Sequence, residues 1–565
     1  MADKGLVFAP LGGAGEIGLN NYVYGLDGRW LQVDFGLTFA DDTHPGVDLV
    51  LPDLSWLEAR REALEGIVLP HAHEDHLGAV PYLWPRLGAP IYCTRFTAAV
   101  LRKKLAEARM LGQVPIREVK PGERFTLGPF TCFFVGVTHS IPDANALAIE
   151  TRHGLLVHSG DWKLDPEPLV GPVTNVEGFS ELGARGVLAL ICDSTNIMTP
   201  GTSGSEAEVR DSLTKLIAEQ PNRVALTTFA SNIARMESAI VAATAAGRDV
   251  VVVGRSMHRM IEAAKECGYL RDIPELLPDK YIDALPRSKT LLLCTGCQGE
   301  ARAALGRIAS GNHPTVELEP GDTVIFSSKI IPGNERTLYN LHNRLVLAGL
   351  EVITEQDHFV HVSGHPSRDE VEQMYRWLRP QIAIPVHGEI RHLHEHRAFA
   401  ERMGVQHAIQ VVNGDMVRLA PGEPERLDRV GVGRAVIESS AFVPAEDDLY
   451  RVRRRLANHG TVLVSLVMDD AGSLVADPNL SVIGASAIED DDDAMAALVE
   501  AIGDAIDGLD DWQAEDDERV RDTVRTVARR GLQLARDKRP IIEVQITRLS
   551  AEVLNGLIEE AGVME

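Results

Sequence analysis

The sequence predicts an α/β protein in which an outer domain is interrupted by a second α/β block, resumes after it, and is followed by a small α+β domain. Three observations carry that expectation. Up to about residue 200, short β-branched runs recur, each ending in a residue able to bind a metal or move a proton: WLQVDFG near Asp34, GIVLPHAH near His71, FTCFFVGVTHS at His139, GLLVHSGD at Asp161 and VLALICDS at Asp193. From about 206 to 355 the texture changes to apolar strands alternating with helical segments. Strands ending in histidine then return in 359-FVHVSGH-365 and 381-QIAIPVHGE-389.

In the first stretch, five strand ends point at one edge, where loops are free to vary while the sheet beneath holds them rigid. In the second, Ser205, Glu206, Ala207 and Glu208 form a capping-box pattern opening a helix, and RVALTTF, DVVVVG, KTLLLCTG and DTVIFSS read as buried parallel strands separated by helices such as SMHRMIEAAKECG. Residues 444–458, beginning PAEDDLYRVRRR, read as an acid-then-base connector. Beyond it, TVLVSLVM and PIIEVQITRL are strands around the helical DAMAALVEAIGDAIDG and DERVRDTVRTVARRG, a small α+β domain over 459–565.

A chain of 565 residues exceeds what one hydrophobic core serves, so three units are expected. The composition, 45% apolar and 24% charged, is that of a soluble globular protein, with no long uncharged run able to span a bilayer. The N-terminus MADKGLVFAPLGG lacks the features of a signal peptide, so the expected location is the cytoplasm, with no membrane partner. Six cysteines in so long a chain do not make a disulfide framework, and Cys294 and Cys297 lack the second CxxC of a zinc ribbon. The net charge of −26 argues against a polyanionic partner unless the acid is segregated. Much of it does lie apart, in 489-EDDDD-493 and 515-EDDE-518.

The densest chemistry is 71-HAHEDH-76, directly after the apolar run Ile67-Val68-Leu69. Imidazole and carboxylate suit zinc and related divalent ions. His71 and His73, two apart at an extended strand end, face the same way; Asp75 and His76 follow in the loop or first helical turn and can face a second ion. A polar surface loop is the bland alternative, and the density of ligand types argues against it. His139, Asp161 and His387 each follow an apolar run in a small-residue turn, completing seven ligands, enough for two ions sharing a carboxylate and a hydroxide.

HxHxDH with isolated His, Asp and His at later strand ends resembles the metallo-β-lactamase family. The inserted block with ASN, TGCQGE, HVSGH and PVHGE resembles its β-CASP branch, and the match over nearly the whole chain, including EVQITRL, is closest to the bacterial ribonuclease J family. The resemblance implies an αββα sandwich over 1–205 and 366–443, a β-CASP α/β domain over 206–365, a linker over 444–458, and a C-terminal α+β domain over 459–565. Because that last domain carries apolar strands and helices but no chemistry, it is expected to build a homodimer or homotetramer. It implies two Zn2+ per subunit, with Mn2+ or Mg2+ as substitutes: one held by His71, His73 and His139, the other by Asp75, His76 and His387, with Asp161 bridging and Asp34 supporting the loop behind them.

The resemblance also matches Asp193 and His365 to β-CASP motifs. A carboxylate-steered histidine can protonate a departing 3′ oxygen, so His365 is assigned as general acid and Asp193 as its orienter. His361, Val362, Ser363, Gly364 and His365, with Ala230, Ser231 and Asn232 at the next helix start, resemble the family's pocket for a 5′-monophosphate end. His387 sides with RNA, since DNA-processing relatives usually carry an apolar residue there. The implied activity is zinc-dependent 5′→3′ exonucleolysis of single-stranded RNA, with endonuclease cuts, in mRNA decay and rRNA maturation, alongside an RNA helicase or other degradosome proteins. The alternative is a small-molecule hydrolase, a lactonase or thioesterase, on the same fold; an inserted block of about 150 residues suits a clamped nucleotide chain better. A scaffold protein with a decayed site is disfavoured by the intact ligand set.

Two departures from the family pattern, Cys297 and Ala301 in TGCQGEA, touch no ligand. Basic candidates for the RNA groove are Arg235, Lys329, Arg336 and Arg368. In 391-RHLHEHR-397, His392 and His396 are expected on a solvated helix face, with Glu395 ion-paired to arginines, and 41-DDTHPGVD-48 is expected to be an ordinary acidic loop in preference to a structural cation site.

Overall fold

The computed structural model describes residues 5–40, 43–331, 333–438, 441–484, 492–535 and 539–562. Residues 41 and 42 of the acidic loop, and 489–491 of the first acidic run, lie outside them. The chain divides into two compact units, Met1–Thr38 with Leu49–Ala435, and Phe39–Asp48 with Val436–Glu565.

In the first unit, two sheets stack face to face. One has eight strands in the order Glu425–Arg429, Asp415–Ala420, Leu6–Gly12, Asn21–Leu26, Arg29–Val33, Leu64–Leu69, Ile91–Cys93, Ile116–Glu118. The other has seven, running Phe125–Leu127, Phe130–Gly136, Asn145–Thr151, Gly154–His158, Val187–Asp193, Ile382–Val386, His407–Ala408. Alternation decides the packing: Phe8, Tyr24, Leu31 and Val68 from the first sheet meet Phe134, Ile149, Ile191 and Ile384 from the second in one buried core. Each large apolar side chain so buried contributes roughly 1.5–3 kcal/mol. The outer face of the seven-stranded sheet is covered by helices Val176–Arg185, Arg368–Leu378 and Ile390–Arg402, through Phe179, Leu182, Met374, Leu378 and Phe399. This is the expected αββα sandwich.

Strands Val187–Asp193 and Ile382–Val386 are parallel neighbours although almost two hundred residues separate them in sequence. The intervening chain forms its own six-stranded parallel sheet, ordered Leu277–Pro278, Asp249–Val253, Thr290–Cys294, Val224–Thr227, Thr323–Phe326, Glu351–Ile353, with its own apolar core. The capping box read at Ser205 is present, its hydroxyl accepting from the Ala207 N–H while Glu208 reaches back to the Ser205 N–H.

The second unit carries a three-stranded sheet, Asn479–Ile483, Thr461–Asp469, Ile541–Leu549. Strict alternation in Thr461–Asp469 turns Val462, Val464, Leu466 and Met468 onto Leu498, Ile502, Val520 and Val524 of the two helices Asp492–Asp507 and Asp517–Ala535. The expected connector at 444–458 is largely helical: Asp447 caps a helix Asp448–His459, and Tyr450 is buried. Among the described residues, no helix is long and apolar enough to cross a membrane.

Candidate metal centre

Strand Leu64–Leu69 ends two residues before His71, and a single turn of helix, Glu74–Leu77, follows His73. The chain bends at His71, His73 is extended as it enters the helix, and Asp75 and His76 turn with the helix. The segment is clamped from behind. Glu74 is no ligand: both its carboxylate oxygens accept from Lys104 Nζ, at 2.8 and 2.6 Å. The Asp75 carbonyl passes so close to Gly36 that a Cβ there would sit 1.7 Å away, so only glycine fits.

The seven expected ligands converge in two overlapping groups. In the first, His73 Nδ1 lies 3.2 Å from His71 Nε2 and 3.0 Å from His139 Nε2. In the second, Asp75 Oδ2 lies 3.4 Å from His76 Nε2 and 3.1 Å from His387 Nε2. One atom, Asp161 Oδ2, is shared: it is 3.7 and 3.8 Å from His71 and His139, and 3.1 and 3.7 Å from His76 and His387. A tetrahedral zinc with bonds of about 2.0–2.1 Å needs its ligand atoms roughly 3.3 Å apart. The residues therefore fit two divalent cations bridged by Asp161.

Polar contacts behind three of the histidines set which ring nitrogen faces the centre. His76 Nδ1 is 2.9 Å from Asp34 Oδ1, an ion-pair distance. His139 Nδ1 donates to the Gly364 carbonyl at 2.5 Å, and His387 Nδ1 to Thr195 Oγ1 at 2.7 Å. Asp34 and His387 hold left-handed backbone, φ 67° and 50°, rare for such residues and typical of functional sites. Burial keeps His71 and His139 well below the usual imidazole range and brings His73 down to about 4, so their lone pairs are free. Burial would also lower His76 and His387, but Asp161 above all raises both. The same carboxylates would attract cations.

Asp193 Oδ2 accepts from His365 Nδ1 at 2.8 Å, the pairing assigned to general acid and orienter. Burial disfavours charge on both, yet Asp193 raises the His365 imidazole above its usual range, and His365 with His387 holds the Asp193 carboxyl well below its own. Asp161, Asp193, His365 and His387 also converge as a potential ligand group, but the direct bond between His365 and Asp193 uses Nδ1 for orientation.

Several neighbours escaped sequence reasoning. Asn20 Nδ2 donates to Asp75 Oδ2 at 3.1 Å and lies 3.0 Å from His76 Nε2, with its oxygen held by the Tyr22 hydroxyl at 2.8 Å. Thr195 Oγ1 donates to Asp193 Oδ1 at 2.7 Å while accepting from His387, so one hydroxyl ties Asp193 to His387. The available signals were weak: the polar pair Asn20-Asn21 entering an apolar strand, and Thr195 two residues after Asp193.

The 361–365 turn stands against this centre. A Cβ at Gly364 would lie 2.9 Å from His139 Cε1, so glycine admits the ring. Asn196 Nδ2 donates to Ser363 Oγ at 2.7 Å and to the His365 carbonyl at 3.2 Å, and Val362 is buried. Ala230, Ser231 and Asn232 precede helix Ile233–Ala245, where Asn232 Oδ1 is the cap, accepting from the Arg235 N–H at 2.9 Å.

Two expectations are corrected. Arg235 is not a groove residue: it is fully buried and ion-paired to Glu206. Of the other basic candidates, Lys329 and Arg336 are exposed, and Arg368 is half-buried, donating to the Ile197 carbonyl and lying 3.5 Å from Glu395. His392 and His396 are buried, not solvated, because with Leu393, Phe399 and Ala400 they share the helix stripe packed toward the seven-stranded sheet. Glu395 does pair with Arg402. All six cysteines are free; Cys294 and Cys297 are buried, which pushes both thiols up to about 12.

Comparison with known proteins bears on each part. Residues 42–176 match the family model of the beta-lactamase superfamily domain, 221–345 that of the ribonuclease J beta-CASP domain, 349–411 that of the Zn-dependent metallo-hydrolase RNA specificity domain, and 450–549 that of the ribonuclease J C-terminal domain. Ribonuclease J of Sinorhizobium meliloti is 42% identical over 97% of this chain and 98% of its own length. Ribonuclease J of Thermus thermophilus is 37% identical over 81% of each. A crystal structure of an Enterococcus faecalis protein of unknown function shares the fold, with a TM-score of 0.51 at 16% identity over 73% of this chain and 99% of that one. With near full-length identity to curated members and both of the family's own domain models matched, the chain belongs to the ribonuclease J family.

Proposed function

We propose that this chain is a two-zinc ribonuclease that degrades single-stranded RNA from a 5′-monophosphate end, one nucleotide at a time, with endonuclease cuts where no such end is engaged. Metal-dependent hydrolysis of RNA follows from its family; the ion count, polarity and end preference are our reading. The observation that carries it is the placement of the 361–365 turn directly on a metal ligand, through the Gly364 carbonyl and His139.

His71, His73 and His139 would hold one cation and Asp75, His76 and His387 the other, with Asp161 shared. When bound, the ions supply Lewis acidity toward the phosphoryl oxygens and lower the pKa of the attacking water. The chain's own residues do the rest. The turn His361–His365 and the helix start at Ala230, Ser231 and Asn232 grip the terminal phosphate and so place the first internucleotide phosphate at the centre. Water attacks that phosphorus, the bond from phosphorus to the 3′ oxygen breaks, and His365, oriented by Asp193, gives the departing oxygen its proton. The released nucleotide carries a 3′ hydroxyl. The shortened RNA carries a new 5′ monophosphate, the end the pocket accepts, so the cycle repeats.

Such a protein acts in cytoplasmic mRNA decay and rRNA maturation, alongside a helicase or other degradosome proteins. Lys329 and Arg336 are the exposed cations we assign to RNA contact. The second unit serves a homodimer or homotetramer, so deleting residues 444–565 should lower activity through loss of assembly; light scattering that finds the truncated chain still oligomeric would refute this. The lactonase or thioesterase alternative is not favoured, since the RNA specificity model spans the segment carrying His361, His365 and His387.

The test uses end-labelled RNAs with 5′-monophosphate and 5′-triphosphate ends, given to the protein and to an Asp75→Ala, His76→Ala variant. Mononucleotides should appear from the first RNA and only with the unmutated protein. Turnover of a lactone or thioester with no cleavage of RNA would sink the reading.

A further inference from the structure

Four charges lie buried where the inserted domain joins the outer one. Lys163 and Asp165 form one ion pair, Nζ to Oδ2 at 2.9 Å, both side chains fully buried. Glu206 and Arg235 form another, with Nε donating to Oε2 at 3.1 Å and Nη2 to Oε1 at 2.9 Å, side chains 2% and 0% exposed. The pairs are linked through the helix that opens the insertion: Asp165 accepts from Ser205 Oγ at 2.7 Å and from the Glu206 N–H at 2.9 Å.

Each end of this chain of bonds reaches a functional segment. Lys163 lies two residues after Asp161, and its backbone N–H donates at 2.8 Å to the carbonyl of Thr138, the residue before His139. At the far end Arg235 Nη1 donates to the Val360 carbonyl at 2.9 Å, to Ser327 Oγ at 2.9 Å and to the Ser327 carbonyl at 3.0 Å, and lies 3.3 Å from His361 Nδ1. The network therefore runs from the loop of the bridging carboxylate to the backbone just before the 361–365 turn.

Stability does not account for it. Desolvating four charges is expensive, and an apolar set of similar volume commonly serves a core as well or better. What ionic hydrogen bonds add is direction. A guanidinium whose three nitrogens all donate fixes its partners' positions in a way that sliding apolar contacts do not. We infer that the buried quartet Lys163, Asp165, Glu206 and Arg235 is a positioning device that holds the 361–365 turn at a set distance from the metal centre, and so determines both the preference for a 5′-monophosphate end and the length of the fragment released. The inference rests on our reading of that turn as the phosphate pocket. The surroundings agree: burial, then the charges of Arg235, Lys329 and Lys163, keep His361 well below the usual imidazole range, so this end of the network is cation-rich.

The test compares kcat/KM on two RNAs of one sequence, with 5′-monophosphate and 5′-hydroxyl ends, for the full chain and two variants. The double substitution Glu206→Leu, Arg235→Met replaces the pair by apolar volume, and Arg235→Lys keeps the charge but loses the fork. Melting temperature and metal content verify that each is folded and loaded. The ratio of the two efficiencies should fall by at least about tenfold, mainly through KM for the monophosphate RNA, and the products should broaden from mononucleotides to mixed short lengths. Should the double variant not fold, Arg235→Lys carries the same readout. A folded, metal-loaded variant keeping the parent ratio and product length would overturn the inference alone. A parent ratio near one would overturn the reading of the pocket, and the inference with it.

Discussion

Two stretches of this chain each carry three histidines, 71-HAHEDH-76 with two acids and 391-RHLHEHR-397 with one, and they behave oppositely. In the first, His71, His73 and His76 gather with His139 and Asp161 so that ring nitrogens and a carboxylate oxygen lie 3.0–3.8 Å apart, close to the spacing of ligand atoms around a divalent cation. In the second, His396 is satisfied at both nitrogens, Nδ1 by Ser194 Oγ at 2.8 Å and Nε2 by the Tyr375 hydroxyl at 3.1 Å, and His392 Nδ1 accepts from the Glu389 N–H that opens its own helix. Residue type does not make a metal site. Convergence of several ligand atoms on one small volume does, and convergence depends on what the rest of the fold supplies.

The comparison can be broken or sharpened by substitution. The largest effect is expected at the first stretch: Asp75→Ala with His76→Ala should remove at least one bound cation and lower RNA hydrolysis on the order of 1000-fold or more, checked by metal analysis beside the cleavage assay. Retained metal and activity would place the centre elsewhere. Next comes His365→Ala, with an expected loss of about 100- to 10,000-fold and intact metal content.

The milder Asp193→Asn gives a pH signature. Burial opposes charge on His365 and Asp193 overcomes it. A general acid works while protonated, so activity falls as pH rises through its pKa; without the carboxylate that pKa drops, and the alkaline fall-off should move to lower pH. An unmoved limb would remove His365 from the acid role.

Smaller still, Thr195→Val should free His387 Nδ1 and weaken metal binding about 10- to 100-fold, with recovery in Thr195→Ser; competition with a chelator measures it. The smallest effect on the centre belongs to the second stretch. His396→Leu should leave metal stoichiometry intact and cost about 1–3 kcal/mol of stability, because Ser194 and Tyr375 lose a buried partner. Loss of a cation there would erase the contrast between the two stretches.

Much of this was legible before any coordinates. Apolar runs closing on His71, His139, Asp161 and Asp193 were legible because each residue lies at, or within three residues of, a strand end, and the structure brings the four into overlapping clusters. Arg235 and His396 were misread for one reason: charge and polarity favour solvent by default, and nothing local announces that Glu206 will meet Arg235, or Tyr375 meet His396. Asn20 and Thr195 were missed because a lone amide or hydroxyl is common everywhere in a chain.

By itself the sequence determined the element order, the interruption of one domain by another, the ligand types and the family, because these follow from short-range pattern and motif. The tertiary structure alone decided which nitrogen of each histidine faces the centre, that a single oxygen of Asp161 is common to both ligand groups, and that Gly364 rests on His139. Those outcomes depend on contacts between residues up to several hundred positions apart, where side-chain orientation is set by the partner and not by neighbours in the chain.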